Sequence, residues 1–161
     1  MNKLCKIIVL AYIGEKIVLK MNKETEEYPK VRDSLDFCWK WIENKQADEE
    51  QIYEFLDDED ENDLVGYMIY ANNVEDKKLY GVILGVVSYI SHNVLETNKL
   101  PIPQFLSATD DKYYNLLIND VVNMQLVDCN KESFDKIIKY CRDKISKNDL
   151  IFGKAEIMDI G

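Results

Sequence analysis

From Leu79 to Val94 the chain sets an apolar residue at every helical turn: Leu79, Val82, Ile83, Val86, Val87, Ile90 and Val94. That is a period near 3.6, which the two-residue alternation of a strand does not produce. A second stripe on the same segment, Gly81, Gly85, Ser88 and His92, is narrow and mostly small. Each glycine inside a helix costs about 1 kcal/mol of propensity, so the stripe predicts another helix packed closely against it. A helix that needs neighbours on two sides belongs inside a multi-helix bundle.

The same period recurs along the chain. Residues 3–20 read as a central helix that is apolar around most of its circumference, with Leu4, Ile7, Ile8, Ala11 and Val18 on one stripe. A strand over residues 7–13 is the competing reading, because Ile and Val favour sheets. Residues 29–44 form a helix opened by Pro29, whose missing N–H has no partner in a first turn. Its buried face is Val31, Leu35, Cys38, Trp39 and Ile42, and Phe37 and Trp41 make a second apolar pair that another helix or a partner must cover.

Asp48 and Gln51 resemble a capping box opening a short helix through Leu56. Asp63 caps a helix from Leu64 to Asn72, and the long helix runs from Asp76 to Thr97. Pro101 and Pro103 mark a loop, Leu100 to Ser107. Further helices run from Asp110 to Leu126 and, capped by Asn130, to Ser146 with Phe134, Ile137, Ile138, Cys141 and Ile145 inward. The tail after Asn148 is apolar enough to dock but too short to classify. The expectation is an all-α fold, a single bundle of about six or seven helices forming one domain over residues 1–161.

Composition agrees with a packed domain. Of 161 residues, 47% are hydrophobic and 31% charged, with 6 Gly and 3 Pro. Cys5, Cys38, Cys129 and Cys141 include no C-x-x-C pair, and the single histidine, His92, is far from all of them in sequence. Neither a zinc site nor a disulfide framework is expected, and reduced thiols point to the cytoplasm. The apolar run Ile7–Ile13 is short for a signal peptide and lacks a small-x-small cleavage site. No stretch is read as crossing a membrane, which needs about 20 apolar residues.

The formal net charge is −10, and all of it lies in one place. Between Glu43 and Asp63 there are eleven carboxylates against one base, Lys45, whereas the rest of the chain is balanced at nineteen of each sign. A concentrated acidic field steers a basic partner and repels nucleic-acid phosphates. A solvated solubility loop is the bland alternative, as is internal neutralisation by the basic residues between Lys131 and Lys147. The core of the run, Asp57-Asp58-Glu59-Asp60-Glu61, lacks the alternation and the glycine of a calcium loop, so no metal is expected.

Signatures of catalysis are missing. There is no phosphate-binding glycine loop, no dinucleotide fingerprint and no nucleophile elbow. His92 has no identifiable nucleophile or orienting carboxylate beside it, and its place near Ser88 favours a hydrogen-bonded packing role. The reading is of a non-enzymatic binding module without a cofactor.

The segment from Tyr28 to Glu43, YPKVRDSLDFCWKWIE, resembles the second helix of the small helical bacterial immunity proteins of family six, from polymorphic toxin systems. The similarity continues through Ile52–Asp57, Tyr67–Ala71, Leu79–Leu95 and Leu100-Pro101-x-Pro103-Gln104-Phe105-Leu106, covering about residues 27 to 120. The resemblance implies a cytoplasmic protein that binds and blocks the toxic C-terminal domain of a cognate secreted or contact-dependent toxin. An acidic DNA mimic or regulatory adaptor is the alternative. Charge and exposure, not the family, name the expected contact residues: Asp57, Asp58, Glu59, Asp60 and Glu61, with Tyr53 or Trp41 as an aromatic anchor against a basic toxin surface.

Overall fold

The structure is a computed structural model and describes residues 1–125 and 128–161. Among the described residues it contains eight α-helices and no strand: α1 Lys3–Lys20, α2 Tyr28–Asn44, α3 Glu50–Leu56, α4 Leu64–Ile69, α5 Val74–Thr97, α6 Asp111–Met124, α7 Lys131–Ser146 and α8 Lys154–Ile160. A short 3₁₀ turn, Gln104–Leu106, joins α5 to α6. The all-α expectation holds, with one helix more than the six or seven expected. The extra helix is α8, in the tail that could not be classified. The expected end of α6 at Leu126 lies outside the described residues.

Helix α1 is the axis of the bundle. Every residue from Cys5 to Glu15 is buried, and so are Ile17 and Val18. It packs against α2, α5 and α7, and touches α8. A strand over residues 7–13 would need edge partners, and the described residues include no strand; helix neighbours around α1 explain why the sequence is apolar all round. Helix α5 lies against α1, α2 and α4, with α6 on its glycine stripe. By length and composition alone α5 could cross a membrane, at mean hydropathy 1.2, contrary to the sequence expectation. In the bundle 72% of that window is buried among the other helices.

The stripe behaves unevenly. A Cβ on Gly85 would sit 3.0 Å from both Leu117 methyls and from the Tyr113 hydroxyl of α6, so the close approach is real there. On Gly81 it would meet only Met68 Sδ at 3.5 Å, an ordinary contact. His92 Nδ1 lies 2.9 Å from the Leu106 carbonyl oxygen, tying α5 to the 3₁₀ turn in the packing role expected of it.

Side chains cap five helices. Asn2, Asp63, Asn73, Asp110 and Asn130 each accept from a backbone N–H in the first turn that follows. Asn73 moves the start of α5 to Val74, two residues earlier than expected. Asp48 accepts from the Glu50 N–H at 3.2 Å, so the start of α3 is an Asx-type turn and not a capping box with Gln51. Phe37 is covered by α3, edge-to-face on Phe55 at 5.8 Å.

The tail is locked onto α1 by charge. Glu15 is buried and accepts from both terminal nitrogens of Arg32, at 2.7 and 2.8 Å, and from the Trp39 indole N–H at 3.2 Å. Lys154 Nζ of α8 completes the cluster 2.9 Å from Glu15. Phe152 and Ile157 bury their side chains alongside.

Candidate functional site

The acidic run folds into a turn between α3 and α4 whose backbone is tied from within. Asp63 is buried, and its two carboxylate oxygens accept from the Gly66 and Asp58 N–H groups, both at 2.8 Å. The first bond caps α4 and the second closes the loop onto the cap. Asp58 Oδ1 accepts from the Asp60 N–H at 2.8 Å, and the Lys30 ammonium of α2 bridges the Asn62 carbonyl and Asp58. Glu61 takes a left-handed conformation, φ 57°, which turns its carbonyl over Gly66. The loop therefore holds one shape while Asp57, Glu59, Asp60 and Glu61 face solvent.

These carboxylates are left unneutralised. Among the described residues Asp58 is the only member of the Glu43–Asp63 run within 4 Å of a basic side chain. The basic helix α7 does not compensate it: Lys136 pairs with Glu132, and Lys144 with Asp149 and Glu156. Among the described residues no basic side chain of α7 lies within 4 Å of a carboxylate of the run. The field registers on nearby tyrosines. Burial and then Glu27, Asp63 and Asp58 push the Tyr67 phenol up, and the hydrogen bond to Glu61 does the same for Tyr70.

Apolar surface adjoins the acids. Tyr53 of α3 is 46% exposed and stands edge-to-face on Phe105, itself 40% exposed, with ring centroids 5.9 Å apart. Two hollows meet at Leu56 and Val65. One, of about 370 Å³, is rimmed by Asp57, Asp58, Glu59 and Glu61 and floored by Ile69. The other, of about 200 Å³, runs under Phe105 to Leu84 and Tyr113. The five acids and Tyr53 thus lie on neighbouring parts of the surface, joined through Phe105, Leu56 and Val65. Phe105, Ile69 and Tyr70 belong to the same face and were missed. Each lies in a segment whose apolar residues read equally well as core.

Trp41 does not belong to that face. It is 4% exposed, lies under the Lys45 ammonium 4.4 Å from its ring, and lines a separate hollow formed with α1, α5 and α7. An exposed anchor at Trp41 is therefore excluded in the free chain, because the second apolar pair of α2 is covered by the chain itself.

A polar hollow of about 240 Å³ beside His92 holds Tyr89, Glu96, Asp110 and Asp111. Its carboxylates are committed: Lys3 pairs with Glu96, and Lys6 with Asp111 at 2.6 Å. Both ion pairs hold the two carboxyl groups below their usual range, the hydrogen bond from the lysine being the largest cause. Among the described residues no group of three or more His, Cys, Asp or Glu side chains could hold a metal ion.

A family model described as Immunity protein Imm6 matches residues 5–124, from α1 through α6. No curated protein and no solved structure matches the chain. The matched span contains the acidic loop, Tyr53 and Phe105, and it stops short of α7 and α8. The chain belongs to the Imm6 immunity protein family.

Proposed function

We propose that the chain is a cytoplasmic, non-catalytic immunity protein that neutralises a toxin domain by covering it with the α3–α4 face. The carrying observation is the pre-shaped, unneutralised acidic loop set beside exposed Tyr53 and Phe105. Interfaces concentrate energy in a few aromatic residues and use surrounding charge to speed encounter and fix orientation. Tyr53 and Phe105 supply the first element, and Asp57, Glu59, Asp60 and Glu61 the second. The partner surface that fits is basic, with an aliphatic or aromatic side chain to enter the hollow at Leu56 and Val65.

A loop already held by Asp63 and Lys30 loses little conformational freedom on binding, which favours affinity. The same geometry argues against a DNA mimic. Duplex DNA spreads about one charge per 1.7 Å along a rod, whereas the net negative charge of this chain is concentrated between Glu43 and Asp63.

The test is co-expression with the toxic C-terminal domain of a cognate toxin. Restored growth together with recovery of a stable complex supports the reading. Growth rescue by Tyr53→Ala/Phe105→Ala protein as complete as by the unaltered chain contradicts the assignment of this face.

A further inference from the structure

We draw no further inference here: the strongest candidate, the apolar hollow of about 340 Å³ lined by Leu4 and Ile7 of α1, Trp41 of α2 and Ile145 of α7, is an unpartnered surface, and nothing in the structure shows what covers it.

Discussion

The Glu61 carbonyl oxygen occupies the place where a Cβ on Gly66 would begin. The obstacle is backbone, not the end of a flexible side chain, so any larger residue there must displace the acidic loop. Gly66→Ala should therefore cost on the order of 1–3 kcal/mol, as overpacking does. Amide exchange across Asp57–Asp63 should also speed up. An unchanged denaturation midpoint with native exchange rates would show that the loop is not seated on α4 in this way.

The two glycines of α5 should separate in the same assay. Gly85→Leu drives a side chain into Leu117 and Tyr113 and should destabilise by roughly 1–3 kcal/mol. Gly81→Ala meets only Met68 at 3.5 Å and gains helix propensity, so it should be neutral or stabilising by up to about 1 kcal/mol. Equal losses at both positions would contradict the packing of α6 on Gly85.

The helices were legible where period and cap coincide. Asp63 and Asn130 mark their helix starts in the sequence and do so in the fold. Asn73 was passed over because Asn72-Asn73 reads as a break, and a break and a cap look alike until the Asp76 N–H is seen to bond Asn73. Helix α8 has too few turns to show a period, and what seats it is Lys154 reaching Glu15 from the far end of the chain. The site was legible as charge, because side-chain counts survive folding. Its apolar half was not: Phe105 and Trp41 are both aromatics in apolar segments, and only packing exposes the first and buries the second.

Acid should loosen the tail. Burial works to raise the Glu15 pKa, but the hydrogen bonds from Arg32 and Lys154 overcome it and hold the carboxyl below its ordinary range. A depressed carboxyl contributes stability that is complete above its unfolded value, about 4.3, and is lost as pH falls through the lower folded value. Glu15→Gln should cost roughly 2–4 kcal/mol at neutral pH, since it leaves Arg32 without its main partner. It should also flatten the fall in stability as the pH drops below about 4.5. Parallel pH–stability curves for the two proteins would remove Glu15 from that role.

The thiols should be silent in the native state. All four cysteines are buried and free; burial pushes Cys129 up to about 11 and Cys141 to about 12. A thiol-reactive dye should titrate them only on unfolding, and neither reductant nor chelator should move the melting temperature of a helix-dominated circular-dichroism signal. Fast titration of even one thiol in native buffer would contradict this burial.

Association kinetics with the cognate toxin domain test the central claim most directly. Asp57→Asn, Glu59→Gln, Asp60→Asn and Glu61→Gln together discharge the exposed carboxylates while sparing Asp58 and Asp63, which hold the loop. Exposed charges act chiefly on encounter, so at low salt the variant's association rate should fall by about tenfold or more. Its dependence on ionic strength should flatten, with dissociation little changed. The same association rates for variant and unaltered protein at both low and high salt would mean that the toxin is held by some other face.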